Sequence, residues 1–232
     1  MANWFLGRAL AEEAEAENAA WSFLGKGAAF WVTVAVLLVV GVAVYLVTRK
    51  KSSKKSFWTA KTMAVGAMCM ALSSVLSLIK LWSMPMGGSV PPASMLPLLL
   101  FAYCYGVGPG MVLGALYGVM QFLLDGMAWA ALGAIPNLLD YPIAFGLLGL
   151  AGYFRGSKAK MTAGFVLGCF GRFMASFLSG FIFYGQYAPE GVNPVWYSLT
   201  YNGSYMLVEC IICIALGLLV GERLAKELKK VA

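Results

Sequence analysis

Long apolar runs, separated by short polar segments, dominate the chain. A helix needs about 20 residues to cross the hydrocarbon core of a bilayer, and seven runs are candidates for such helices. The third and fourth runs are short and meet at the glycine-rich turn YGVGPG (105–110). The pattern predicts an all-α membrane protein, in which one extra N-terminal transmembrane helix precedes a six-helix bundle. The predicted spans are 28–48, 60–82, 93–107, 109–126, 136–154, 161–185 and 197–221.

The charged residues support this topology. They make up 12% of the chain, about half of their share in soluble domains, and most basic residues form three clusters between apolar runs. With seven spans and an outside N-terminus, all three clusters lie on the cytoplasmic side, as the positive-inside rule requires. We therefore predict a multi-pass protein of the cell membrane with a cytoplasmic C-terminus. The net charge of +7 then reflects topology and predicts no nucleic-acid partner.

Polar segments divide the chain into five predicted parts. Residues 1–27 form an acidic leader outside the cell, for which an interfacial helix and a disordered segment both stay open. Residues 28–48 form an extra anchor, and 49–59 a basic cytoplasmic linker. Residues 60–222 form the six-helix substrate-binding membrane domain, and 223–232 a basic cytoplasmic tail.

Several kinds of chemistry are missing from the sequence. The chain has no histidine, which excludes histidine-based catalysis and histidine metal ligation. It has no phosphate-binding G-x-x-x-x-G-K-[ST] motif, so it is not an ATPase of that type. Cys210 and Cys213 have the spacing of a metal or redox pair, but no second pair accompanies them, which favours small side chains inside a helix. We predict no enzyme, no metal site and no covalently bound cofactor.

Two patterns of small residues predict close helix packing. Glycines at 106, 110, 114 and 118 recur at every fourth position, which predicts a smooth ridge packed inside the bundle. Ala67 and Ala71 have the same spacing on the first helix of the bundle. By composition alone, this second face is also predicted to pack internally.

Three ionisable residues lie at membrane depth, namely Asp140, Arg172 and Glu209. Each costs about 2.5–3.5 kcal/mol at the centre of an inserted helix and usually faces an interior or a cavity. For Arg172 and Glu209, a structural ion pair and a functional role both stay open. Asp140 lies in the predicted outer half of its span, and we predict a ligand-binding role for it.

Aromatic and amide residues concentrate in the other segments predicted to face outside. Such residues are common at membrane interfaces as a belt. Together with a carboxylate they also suit a flat, cationic heterocycle, because rings attract the cation and the carboxylate accepts charge-assisted hydrogen bonds. These residues are Trp82, Trp129, Tyr184, Tyr187, Trp196, Tyr197, Tyr201, Asn202 and Tyr205.

Four stretches resemble the thiamine-specific substrate-binding (S) component family, ThiT/YuaJ, of energy-coupling factor (ECF) transporters. They are SMPMGGSV (83–90), LLDYPIAFGLLGLAGYF (138–154), FLSGFIFYGQYAPEG (177–191) and WYSLTYNGSYM (196–206). The resemblance covers the six-helix block. It implies a six-helix S component that captures thiamine at the outer face. It further implies association with a transmembrane coupling protein and two cytoplasmic ATPases, which drive uptake.

The resemblance also implies roles for individual residues. Asp140 and Tyr141 match an acidic residue and a tyrosine that bind the aminopyrimidine. Tyr184 matches an aromatic stacking residue, and Ser176 stands where some members have histidine. Trp129 or Trp82 is expected to replace a tryptophan that some members carry at the position of Gly88. The other matched substrate-binding positions are Gly180, Arg172, Tyr197 and Asn202, and the matched docking positions for the coupling protein are Ala67 and Ala71.

Two alternatives to thiamine capture stay open. The same scaffold could serve another pyrimidine or a thiamine precursor. A membrane scaffold protein without transport function would use the same polar residues as structural contacts.

Overall fold

The computed structural model describes residues 59–84, 88–126, 134–189 and 191–231. The predicted leader and anchor, and all of the predicted linker except Thr59, lie outside these residues. Trp129 lies outside them as well.

Helices form nearly all of the described structure. The first is α1 (Ala60–Leu78), followed by a short antiparallel hairpin of β1 (Trp82–Ser83) and β2 (Ser89–Val90). Helix α2 (Leu96–Tyr105) and helix α3 (Val107–Gln121) follow, and α3 continues through a π-helical turn at Phe122–Gly126.

The second half of the bundle contains four more helices. Helix α4 runs through Ala134–Leu138, a π-helical turn at Leu139–Ile143, Ala144–Leu147 and a final 3₁₀ stretch at Leu148–Tyr153. Helix α5 is Lys158–Phe183, and a 3₁₀ turn follows at Gly185–Tyr187. Helix α6 (Pro194–Leu216) passes through the turn Gly217–Gly221 into α7 (Glu222–Val231).

The described helices confirm the all-α membrane fold. Five of the helical runs are long and apolar enough to cross a membrane, and α2 is a shorter apolar helix. These six runs correspond to the six spans predicted after residue 59. Every residue of α2 is buried, which explains why α2 is apolar on all sides.

The ends of the helices follow from local sequence. The hydroxyl of Thr59 accepts a hydrogen bond from the backbone N–H of Thr62 at the start of α1. Ser157 caps α5 in the same way, through the N–H of Lys160. Such side-chain oxygens satisfy backbone donors that a helix leaves unpaired. Pro194 occupies the first turn of α6, where its missing N–H costs nothing.

The glycine ridge of α3 packs inside the bundle, as predicted. A Cβ atom on Gly114 would collide with the carbonyl group of Phe145, and one on Gly118 with that of Tyr141. Gly110 similarly approaches the backbone of Gly149. These glycines therefore bring α3 against α4 at backbone distance.

The alanine face of α1 does not pack internally. Ala67 and Ala71 are exposed, as are their neighbours Met68 and Leu72. The prediction of internal packing from composition was wrong. The opposite face of α1, which includes Val65 and Cys69, is the one that packs against the core.

The two ends of the bundle differ in chemistry. At one end, α1 and α5 end, α6 begins, and the β-hairpin connects α1 to α2. At the other end lie the basic residues that begin α1 and α5. There α7 closes against α2, since Tyr105 Oη donates to the carbonyl of Leu228 (2.6 Å) and Ala225 is buried.

Candidate ligand-binding site

A cavity of about 140 Å³ opens at the hairpin end of the bundle. The residues that line it come from the end of α1, the hairpin, the end of α3, and from α4, α5 and α6. Of the nine predicted substrate-binding residues, all eight in the described part of the chain line this cavity. They are Asp140, Tyr141, Arg172, Ser176, Gly180, Tyr184, Tyr197 and Asn202.

Asp140 is presented by an irregular turn of α4. Pro142 lies two residues further on, and a proline has no N–H and breaks regular helical hydrogen bonding. The turn widens into a π-helical one, a feature often found at functional sites. Ser179 of α5 donates a hydrogen bond from its Oγ to Asp140 Oδ2 (2.7 Å). The carboxylate is thus oriented from a neighbouring helix and remains part of the cavity wall.

Five tyrosines at the end of α5 and on α6 line the same cavity as this carboxylate. The rings of Tyr197 and Tyr201 stack with their centroids 5.9 Å apart, and Tyr205 meets Tyr201 edge-on at the same separation. Tyr184 lies 6.3 Å from Tyr187, centroid to centroid. All five tyrosines line the cavity. Their faces can contact a flat ligand, and their hydroxyls can donate or accept hydrogen bonds.

Asn202 is fixed by the helix that carries it. Its amide Nδ2 donates to the carbonyl and the hydroxyl of Ser198 (3.1 and 3.2 Å), and its Oδ1 accepts from Tyr205 Oη (3.0 Å). Gly180 of α5 lies directly against this group, because a Cβ there would meet Ser198 Oγ and Asn202 Nδ2. Gly180 therefore allows α5 and α6 to approach closely beside the cavity.

Arg172 and Glu209 form a buried ion pair, the contact that one of the two interpretations of these residues predicted. Arg172 Nη1 lies 3.2 Å from Glu209 Oε2. The guanidinium carbon also lies 4.2 Å from the centroid of the Phe145 ring, a cation–π arrangement. Arg172 reaches the cavity wall, whereas Glu209 lies behind it.

The β-hairpin lies at the mouth of the cavity. The backbone N–H of Gly88 donates to Tyr201 Oη (2.9 Å), and the Ser204 hydroxyl contacts the sulfur of Met84 (3.5 Å). Gly88 lines the cavity. Trp82, one of the two tryptophans expected near this point, is 62% exposed and does not line the cavity.

Eight lining residues were not singled out from the sequence, and three of them form a polar group between α1 and α3. Tyr117 Oη donates to Gln121 Oε1 (3.1 Å), and the Ser77 hydroxyl donates to the same oxygen (3.2 Å). Tyr117 and Gln121 are four residues apart on α3 and thus share a face. This polar pair within an apolar helix was the signal that could have identified them.

The fold and the cavity together define a class of protein, a multi-pass helical membrane protein with a polar, aromatic site at one end of its bundle. The profile of the family described as Thiamine transporter protein (Thia_YuaJ) matches residues 63–228. The chain belongs to this family.

Two curated relatives and one solved structure resemble this chain. The Thiamine transporter ThiT of Bacillus subtilis is 38% identical over 145 residues, which cover 56% of this chain and 73% of that protein. The Thiamine transporter ThiT of Lacticaseibacillus paracasei is 33% identical over 134 residues, 52% of this chain and 67% of that protein. A solved structure of ThiT from Listeria monocytogenes matches with a TM-score of 0.64 at 21% identity, and covers 72% of this chain and 96% of that chain.

Proposed function

We propose that this protein binds thiamine in the cavity beside Asp140. The observation that carries the proposal is a carboxylate, oriented by Ser179, that shares a cavity with seven tyrosines. Thiamine has an aminopyrimidine, which can donate hydrogen bonds to a carboxylate, and a cationic thiazolium ring, which suits aromatic faces. The relatives in Bacillus subtilis and Lacticaseibacillus paracasei are both named thiamine transporters.

Each lining residue has a role in this proposal. Asp140 accepts hydrogen bonds from the aminopyrimidine, with Tyr141 beside it. Tyr184 and Tyr197 stack on the rings of the ligand, and Asn202 supplies amide groups. Ser176, Gly180 and Arg172 shape the wall formed by α5, and Trp129 is proposed to contact the ligand as well.

A fluorescence titration tests this proposal. Trp196 immediately precedes the lining residue Tyr197 on α6, so a ligand that binds in the cavity is expected to change the surroundings of this tryptophan. Purified full-length protein in detergent is expected to show saturable quenching of tryptophan fluorescence by thiamine. If thiamine produces no saturable change up to millimolar concentration, the proposal fails.

We further propose that the protein is the substrate-binding component of an ECF-type importer. The chain carries no phosphate-binding motif of its own, and an exposed Ala67/Ala71 face on α1 would allow the close approach of a helix from a coupling protein. Two partner ATPases would supply the energy for uptake. Co-purification of the tagged chain with ATPase subunits supports this assembly, and persistent association with an unrelated complex would contradict it.

The proposed orientation places the cavity outside. The basic residues at the opposite end of the bundle then face the cytoplasm, in agreement with the positive-inside rule. The N-terminus lies outside under this proposal, and residues 1–27, 28–48 and 49–59 serve as leader, anchor and linker. Cysteine labelling of intact cells with an impermeant reagent, at a position in the leader and at one in the tail, tests the orientation.

A related pyrimidine is the alternative ligand, because the carboxylate recognises an aminopyrimidine whether or not a thiazolium ring is attached. Competition of labelled thiamine with each of its two halves separates the two proposals. Thiamine is expected to compete better than either half. Equal competition by the hydroxymethylpyrimidine half would favour a precursor transporter.

A further inference from the structure

Three ionisable side chains are grouped at the cavity. Asp140 and Arg172 are the charged residues among those that line it in the described part of the chain. Glu209 lies behind Arg172 and is fully buried, with 0% exposure. Its Oε2 lies 3.2 Å from Arg172 Nη1.

Glu209 is held on both of its carboxylate oxygens. While Oε2 pairs with Arg172 of α5, Oε1 accepts hydrogen bonds from Ser94 Oγ (2.6 Å) and from the backbone N–H of Met95 (3.3 Å). Ser94 and Met95 immediately precede α2. Glu209 of α6 therefore connects the start of α2 to α5, and its position fixes the Arg172 guanidinium against the Phe145 ring.

The charges of the three residues decide which ligands the cavity favours. With both carboxylates ionised, Asp140, Glu209 and Arg172 sum to a net charge of −1. A monocation then completes neutrality beside a low-dielectric protein interior, where charges interact more strongly than in bulk water. Without Glu209 the sum would be zero, and an uncompensated guanidinium would face the ligand at the cavity wall.

We propose that Glu209 is a positioning residue that determines charge specificity, because it neutralises Arg172 and so makes the cavity select a monocationic heterocycle over a neutral one. This inference rests on the proposed thiamine binding, and it assigns a role to a residue that does not touch the ligand. Glu209 acts through Arg172, whose side chain is 12% exposed, compared with 1% for Glu209.

The test compares the binding of thiamine with that of its hydroxymethylpyrimidine half, which is neutral at mildly alkaline pH. The measured quantity is the ratio of the two dissociation constants, determined by equilibrium dialysis on full-length protein. Glu209→Gln is expected to reduce the preference for thiamine by at least about tenfold, since a unit charge a few ångströms away acts on the thiazolium but hardly on the neutral ring. If the role of Glu209 is purely structural, Glu209→Gln weakens the binding of both ligands by the same factor and leaves the ratio of their dissociation constants unchanged.

Three further variants make the test independent of the folding of Glu209→Gln. Glu209→Asp keeps the charge and is expected to keep the preference within about threefold. Arg172→Gln leaves the two carboxylates of Asp140 and Glu209 with a net charge of −2 and is expected to raise the preference for thiamine. The double variant Arg172→Gln/Glu209→Gln restores −1 and is expected to restore the preference of the unmodified protein.

The outcomes separate this inference from the proposed function. If the unmodified protein does not bind thiamine, the proposed function fails. If it binds thiamine but Glu209→Gln leaves the ratio unchanged, or Arg172→Gln and the double variant change it in the same direction, the role of Glu209 is overturned while thiamine binding stands.

Discussion

Asp140 combines three properties that rarely occur together at membrane depth. It lies in a π-helical turn next to Pro142, it receives a hydrogen bond from Ser179, and it lines a cavity. A carboxylate in this setting costs several kcal/mol unless its interactions compensate the loss of water. The aminopyrimidine of thiamine is the compensating partner in our proposal.

Asp140→Asn tests the residue directly. The substitution removes the negative charge while it keeps the size of the side chain, so a charge-assisted hydrogen bond to the aminopyrimidine is lost. We expect thiamine binding to weaken by about 1.5–3 kcal/mol, measured by equilibrium dialysis. Asp140→Glu is the matched control and is expected to retain most of the affinity. Unchanged affinity of Asp140→Asn would remove this residue from the site.

Tyr184 tests the contribution of the aromatic faces. Tyr184→Ala removes a ring that lines the cavity, and we expect thiamine binding to weaken by about 0.5–2 kcal/mol through the loss of cation–π attraction. Tyr184→Phe keeps the ring and is expected to bind thiamine nearly as well as the unmodified protein. An equal loss in both variants would assign the effect to the hydroxyl instead.

At the scale of the helices, close backbone packing positions the site. The α3 glycines bring α3 against α4 next to Tyr141, and Gly180 brings α5 against α6 next to Asn202. The positions of the lining residues on four helices therefore depend on glycines, which have no side chain to hold the helices apart. Small residues at such contacts are typical of helix packing in membranes.

A pair of glycine substitutions on α3 tests this packing. Gly114→Ala places a methyl group against the carbonyl of Phe145 and is expected to destabilise the protein by about 1–3 kcal/mol. Gly108→Ala is the matched control, because a Cβ at that position would meet no atom within 4 Å beyond its chain neighbours and the backbone of its own helix. Thermal unfolding in detergent should show a lower Tm for Gly114→Ala and an unchanged or higher Tm for Gly108→Ala. Equal Tm values for the two variants would contradict the packing described here.

The sequence predicted much of the architecture for physical reasons. The apolar run lengths and the basic clusters identified the six apolar helical runs of the described bundle, since helix length and charge placement are fixed by the bilayer. Asp140, Arg172 and Glu209 were conspicuous because charges at membrane depth are costly. The resemblance to the family then indicated which residues of α5 and α6 share the site with Asp140.

Other features could not be predicted from the sequence. Ser179 and Ser198 orient site residues through hydrogen bonds. In the sequence, however, a serine with this role cannot be distinguished from one that only packs inside an apolar helix. The β-hairpin rests on two residue pairs, too few for a strand pattern. The exposure of the Ala67/Ala71 face depends on which side of α1 meets the core, and composition does not specify that side.

At the scale of the whole molecule, exposure of an apolar surface does not distinguish a region that faces lipid from one that binds a partner protein. A functional measurement is needed to tell the two apart. The Ala67/Ala71 face of α1 is exposed, and so is Ala215 on α6. Both positions can face lipid. The proposed importer requires the first of them to receive a coupling protein.

Tryptophan substitutions at these two exposed alanines test the proposed docking face. We expect Ala67→Trp to abolish thiamine uptake into cells while the purified protein still binds thiamine, because a bulky ring prevents the close approach of a partner helix. Ala215→Trp is expected to leave both uptake and binding nearly unchanged. Normal uptake by Ala67→Trp would exclude this face as the docking surface.

The most direct measurement of the central claim is isothermal titration calorimetry of purified full-length protein with thiamine. Binding in the cavity of Asp140 predicts saturable binding of one thiamine per chain, with a heat signal that is greatly reduced in Asp140→Asn. The absence of saturable binding in the unmodified protein, or identical binding curves for the two proteins, would contradict thiamine capture at this site.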